Sequence, residues 1–300
     1  MIEYTAGDFN DLCRDGSVSS EISTIEETRK QAVKRFWLLL LGGIVLGILV
    51  ALVVIGAGWP TVGLIVGMIV IGIGIFMAVG PLSAAKQKLK HPVLTTLARR
   101  GGMEYVPSGF EPPVYPAAAR ILFGRVSTYV FTDLFHGVDE EGRRFAIYEG
   151  TLSRRQGKNT VQVFTGQIYA FQRRTTGHGQ VGIVPDAGIL NFFKPSGMER
   201  VKFDSDPDFE KKFEVYATEQ TAGLSVVGSD VRRELLQLRE AGRVYVYVGP
   251  EDVLVALWGK NRFEPGSMFR SRPGEERVKL MFDDVCASVG ILKRVRTLFA

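Results

Sequence analysis

The chain has 300 residues, with 37 Lys and Arg against 32 Asp and Glu, two cysteines and three histidines. Two cysteines exclude a disulfide-stapled scaffold, and three scattered histidines with no pair at ligand spacing argue against a zinc site. Charge is uneven: residues 1–80 hold five basic and seven acidic side chains, a deficit of two, whereas residues 81–300 hold 32 basic and 25 acidic, a surplus of seven. Juxtamembrane cations gain about 1 kcal/mol each beside an anionic leaflet, so the surplus does not require nucleic acid, and no nucleic-acid motif is present.

Residues 1–35 read as an N-terminal helical segment. Ser23 with Glu26, or Thr24 with Glu27, has capping-box spacing, and the expected helix runs through Arg29 and Lys34. From Phe36 to Val79 no residue is charged. Residues 36–55 and 61–79 are each about 20 residues long, enough at 1.5 Å per residue to cross roughly 30 Å of hydrocarbon. Gly56-Ala57-Gly58-Trp59-Pro60 is the turn of a transmembrane hairpin over 36–80. Arg29, Lys30, Lys34 and Arg35 precede the first span, Lys86, Lys88, Lys90, Arg99 and Arg100 follow the second, and the turn carries no cation. The positive-inside bias therefore predicts a multi-pass protein of the bacterial inner membrane with both termini cytoplasmic. Trp37 and Trp59 are placed for the two interfaces. Gly43, Gly47 and Ala51 recur every four residues, as do Gly63 and Gly67, followed by Gly74 and Ala78. Such spacing lets helix backbones approach closely. It is expected to pack the hairpin on itself, with homo-oligomerisation through the same glycine-rich faces as the alternative. Spans without ionisable groups argue for an anchor over a transport pathway.

Residues 81–120 read as a basic juxtamembrane helix over Ala84–Arg99, with a break near His91-Pro92, then Gly101-Gly102 and a linker marked by Pro107, Pro112, Pro113 and Pro116. Residues 121–300 then form the cytoplasmic domain. Strands are expected over Val126–Phe131, Asp133–Val138 and Arg144–Leu152, the last two joined as a hairpin by Glu140-Glu141-Gly142. A further turn at Gln156–Asn159 precedes a long strand over Val161–Phe171. Strands at Val181–Val184 and Phe213–Tyr216, a short helix at Asp206–Lys212 and an amphipathic helix at Val231–Arg239 follow. The strand pair Val244–Val248 and Val253–Leu257 and a helix over Glu275–Leu298 close the chain. The fold class is α+β: a two-helix transmembrane hairpin, then a mixed domain with mainly antiparallel strands and a C-terminal helix.

Three stretches carry a family resemblance. They are Asp133–Gly137 continuing through Phe145–Glu149, Val163-Phe164-Thr165-Gly166-Gln167-Ile168-Tyr169, and Phe209-Glu210-Lys211-Lys212-Phe213-Glu214-Val215-Tyr216-Ala217-Thr218-Glu219-Gln220. They resemble the bacterial domain-of-unknown-function family numbered 3137, with its Val-Phe-x-Gly segment and Phe-Glu-x-x-Phe-x-Val-Tyr signature, and Phe263-Glu264-Pro265 is similar to a loop of that family. Glu219 stands where an Asp is usual, and Gly228-Ser229 replaces a Thr-Pro helix start. The resemblance extends over most of the chain. It implies a bacterial membrane protein with a cytoplasmic domain and supplies no catalytic residues.

Several motifs carry no chemistry. Gly157-Lys158-Asn159-Thr160 is not a phosphate loop, because Leu152 stands where the first Walker glycine belongs and no helix follows. Asp139-Glu140-Glu141 reads as a solvated turn, Asp283-Asp284 as a polar helix face, and Phe164, Phe171, Phe213 and Tyr216 as strand core. Cys13 and Cys286 read as free thiols. The candidate anion or lipid contacts are Arg173, Arg174 and His178 in one loop and Lys293, Arg294 and Arg296 at the chain end. No cofactor or metal is expected. The favoured function is a membrane-tethered binding or scaffolding module that meets the bilayer, anionic headgroups or a protein partner. The alternative is a membrane-anchored enzyme, a hydrolase in which Glu149, Glu214 or Glu219 meets His136 or an arginine in a deep pocket.

Overall fold

The computed structural model describes residues 4–174, 176, 177, 179–186 and 195–299. Helix α1 (Ala6–Arg14) starts on a capping box in which the Thr5 side chain accepts from the Asp8 N–H and Asp8 accepts from the Thr5 N–H. Asp15 ends α1 and caps α2 (Gly16–Gly56), accepting from the Ser17 N–H at 3.1 Å. The helix entry expected at Ser23 or Thr24 is thus overturned: both hydroxyls donate to the Ser20 carbonyl inside α2. After a turn with Gly58 at φ 89°, α3 (Pro60–Arg100) opens on a proline, whose missing N–H costs nothing at that position.

The helices α2 and α3 are 41 residues each, and both are long and apolar enough to cross a membrane. Their apolar side chains face outward, with Val53 72 % and Phe76 83 % exposed. The small residues meet one another across the hairpin. A Cβ on Gly43 would lie 2.8 Å from the Gly74 Cα, and one on Gly67 would lie 2.8 Å from both the Ala51 Cβ and the Gly47 carbonyl. These faces are taken up by each other. The break expected at His91-Pro92 is absent. Val93, Leu94 and Leu97 immediately beyond it are fully buried, and that packing outweighs the roughly 3 kcal/mol that an internal proline costs a helix.

By its internal contacts the chain divides into two compact units, Tyr4–Leu97 with Glu264–Asp283, and Ala98–Phe263 with Asp284–Ala300. In the helical unit, residues 264–273 form a strap across α2 and α3. Glu264 pairs with Lys86 and Lys90 of α3, while Arg29 of α2 donates to the Met268 carbonyl and Glu26 accepts from the Arg272 N–H. Arg277 lies beneath the strap with no exposed surface and donates to the carbonyls of Pro265, Ser267 and Arg270.

The second unit is built on a sheet. Its elements are β1 (Glu104–Ser108), α4 (Tyr115–Phe123), β2 (Thr128–Val138), β3 (Arg144–Gln156), β4 (Asn159–Gln172), β5 (Val181–Pro185), β6 (Glu199–Val201), α5 (Pro207–Glu210), β7 (Phe213–Ala217), α6 (Gln220–Val226), α7 (Ser229–Glu240), β8 (Val244–Val248) and β9 (Asp252–Trp258). Helix α8 (Gly274–Leu298) begins in the first unit and ends in this one. Among the described residues nine strands form one sheet in the order β1-β2-β3-β4-β9-β8-β5-β7-β6, every pair antiparallel. The stretch read as a proline-rich linker contains β1 and α4. The two strand segments expected on either side of Thr132 are one strand with a bulge, where Asp133 adopts φ 58°.

Alternate residues of each strand face opposite ways. Tyr148, Leu152, Phe164, Ile168, Leu254 and Tyr247 form a core with Ala118, Leu122 and Phe123 of α4 on one face. On the other face α8 buries Val285, Val289, Leu292 and Val295 at helical spacing. There Gln167 of β4 donates to the Ser288 hydroxyl at 2.9 Å and accepts from Tyr169 at 2.7 Å.

Candidate functional site

A cavity of about 700 Å³ lies on the α4 side of the sheet. Its floor follows from strand register. His136, Ala146, Ala170 and Leu254 are cross-strand neighbours on β2, β3, β4 and β9, and the two adjacent alanines leave space that larger side chains would fill. The next row sets Val138 opposite Arg144 and Gln172 opposite Asp252. Pro113, Val114 and Leu134 form a largely apolar wall. Burial pushes the Asp252 carboxyl above its usual value, with Arg144 opposing and Glu251 reinforcing the shift. The His136 Nε2 lies 3.6 Å from the Glu104 carboxylate.

Val114, on the cavity wall, sits at φ 63°, a conformation costly for a β-branched residue by about 1–3 kcal/mol. The structure holds it from both sides. The Tyr148 hydroxyl donates to the Pro113 carbonyl at 2.8 Å, and the Val114 carbonyl accepts from Ala117 and Ala118 to start α4. No serine, threonine, cysteine or lysine is among the described residues lining the cavity. It has the makings of a binding site, with an apolar interior and a few polar groups at one end.

The predicted anion contacts separate. Arg174, Lys293 and Arg296 converge on a groove of about 440 Å³ at the β2–β3 turn. The same groove holds Asp139, Glu140 and Glu141, so four cations including Arg143 meet three carboxylates. Arg296 and Arg143 both pair with Asp139, and Arg174 bonds Glu141 at 2.7 Å. Burial alone would raise the Asp139 carboxyl, but the Arg143 N–H and the Arg296 guanidinium outweigh it and hold the group at about 2. Arg173 lies apart and donates to the Gly249 carbonyl at 3.2 Å. Arg294 faces another pocket and pairs with Glu234. His178 lies outside the described residues.

The three acids weighed for catalysis do not converge on the cavity. Glu149 is 1 % exposed, and its carboxylate accepts from the backbone N–H groups of Arg262 and Phe263. Asp133 offers a carboxylate oxygen within 4.8 Å of it, and Asp133 also accepts from the Tyr105 hydroxyl at 2.7 Å. Glu214 is bound to Arg200 at 3.2 Å and accepts from the Tyr216 hydroxyl. Glu219 caps α6. Sequence reasoning missed the cavity residues Ala146, Ala170, Arg144 and Asp252, because their proximity depends on register across four strands. The facing pair Ala146 and Ala170 does not single the cavity out, because Gly150 and Gly166 face each other on the same two strands.

Residues 162–296 match the model of the family described as protein of unknown function (DUF3137), and this part of the chain belongs to that family. The match includes the stretches at 163–169 and 209–220 and the Phe263 loop; Asp133–Glu149 falls before it. No curated protein matches the chain. Among solved structures, the crystal structure of the mycobacterial trehalose monomycolate transport factor A is similar at 10 % identity over 68 % of this chain and 96 % of that one, with a TM-score of 0.35.

Proposed function

We propose that this protein is a membrane-anchored binding module: α2 and α3 cross the bilayer twice, and the sheet unit takes its ligand or protein partner in the cavity over Ala146 and Ala170. The observation that carries this reading is the cavity itself, mostly apolar, with Arg144, Asp252, Gln172 and His136 at its polar end. The strained turn at Val114 supports it, since such strain gathers at sites of recognition. The cation-rich flanks of the hairpin favour a bacterial inner-membrane location with both termini in the cytoplasm. The surplus of positive charge after residue 80 favours contact with anionic headgroups. The groove at Arg174, Lys293 and Arg296 contributes little to that contact because its own carboxylates answer it. A second copy would have to use a helix face other than the paired glycines. The dispersal of Glu149, Glu214 and Glu219 favours the binding module over the hydrolase reading.

Filling the hollow tests the proposal. Ala146→Leu with Ala170→Leu fills the floor of the hollow; both alanines are buried, so some overpacking and a lower melting temperature are expected, and that measurement establishes that the full-length variant is folded. Molecules that copurify with the wild type from native membranes, read by mass spectrometry, should be depleted about tenfold or more, as loss of a pocket contact worth 1.4 kcal/mol or more requires. An unchanged set on a folded variant would overturn the assignment.

A further inference from the structure

A second pocket of about 160 Å³ lies on the α8 side of the sheet, bounded by the C-terminal turn of α7, the end of β9 and α8. Lys260, Arg262 and Arg294 line it together with Gln167, Gln237 and Trp258, and no carboxylate is among its described lining residues. Arg294 shares its charge with Glu234. Lys260 and Arg262 ion-pair with no described residue. Three cationic residues thus line one pocket with only Arg294 answered by an ion pair, the reverse of the groove at Asp139.

The segment that carries two of them is anchored at both ends. A Cβ on Gly166 would fall 2.0 Å from the Leu257 carbonyl oxygen and one on Gly242 would fall 2.3 Å from that of Trp258, so both glycines permit a close backbone approach at the pocket. Both have positive φ, 144° and 157°. At the other end, the buried Glu149 carboxylate holds the N–H groups of Arg262 and Phe263. Behind the pocket, Gln167 is fixed by Ser288 and Tyr169. The nearby end of α7 at Ala241 brings about half a negative charge, and Glu149, which does not line the pocket, lies behind Arg262; against these stand Lys260 and Arg262, with Arg294 already paired to Glu234. The volume equals the liquid share of about five waters, room for a tetrahedral oxyanion but too little for a large ligand. Guanidinium and ammonium groups at such a site recognise phosphate.

We propose that this pocket binds a phosphate group, presented either by a soluble phosphate compound or by a phospholipid headgroup. The full chain in phosphatidylcholine nanodiscs would be titrated with inorganic phosphate against chloride at equal ionic strength, reading melting temperature. In a second arm, nanodiscs containing phosphatidic acid would be examined by native mass spectrometry for retained lipid. Lys260→Gln with Arg262→Gln keeps the backbone bonds to Glu149, and its melting temperature without phosphate checks its fold. A saturable rise with phosphate, needing at least about tenfold more phosphate in the double variant, supports a soluble ligand. Retention of phosphatidic acid alone, lost in the double variant, assigns the headgroup. No response in either arm, or a response the double variant leaves unchanged, overturns the proposal.

Discussion

Arg277 illustrates how much one side chain can organise. Its guanidinium is fully buried, and burial lowers its pKa while Glu26, 3.6 Å away, acts to raise it. An arginine guanidinium remains protonated in proteins, and three strap carbonyls accept its N–H groups. Removing it would leave those carbonyls without a donor in a closed space, at a cost of about 3 kcal/mol. Arg277→Met is therefore expected to lower the melting temperature of the detergent-solubilised protein and to expose residues 266–273 to limited proteolysis; wild-type resistance of the strap would refute this. Acid should weaken the same cluster. Burial raises the Glu26 carboxyl, but the Arg272 N–H and Arg29 lower it further, to a net value below 4.5. Its contribution is full above that ordinary value and is lost as the pH falls through the lower folded one.

At the scale of elements, the hairpin depends on backbones that touch. Gly74→Leu places a branched side chain where a Cβ would already lie 2.7 Å from the Gly43 Cα. It should force α2 and α3 apart and cost about 1–2 kcal/mol of helix association, whereas Gly72→Leu, on a face with nothing within 4 Å, should be close to neutral. Equal melting temperatures for the two variants would count against the packing. Elements whose pattern is local were legible in the sequence: the alternation of Val161–Phe171, the turn at Gly157-Lys158 and the apolar spacing of α7 and α8. Elements that depend on distant partners were not. Helix α4 starts at a left-handed Val114 supported by Tyr148, and β1 contains Pro107 and becomes a strand through its pairing with β2. The true first cap uses Thr5 with Asp8, an acid one methylene shorter than the usual glutamate partner. The cations at Arg174, Lys293 and Arg296 could be read from the sequence, but the carboxylates that neutralise them arrive from a hairpin more than thirty residues away in chain order.

For the whole molecule, the proposed orientation makes a direct prediction. A reporter inserted at Gly58 should register outside the cell membrane and one fused at the C-terminus should register inside; a C-terminal reporter found outside overturns the charge argument. The sheet unit, which holds residues 162–263 and 284–296 of the family segment, would then work entirely in the cytoplasm. Helices α2 and α3 continue unbroken for about 60 Å, roughly twice the thickness of hydrocarbon. In the proposed bilayer, nothing in the backbone marks where lipid ends and water begins. That boundary is drawn by side chains alone, by Arg35 and Trp37 on one helix and the first lysine, Lys86, on the other. The next turns of both rods are charged and resist entry into lipid, so a thicker membrane would have to thin around the hairpin, and the strap at 264–273 keeps its distance from the headgroups.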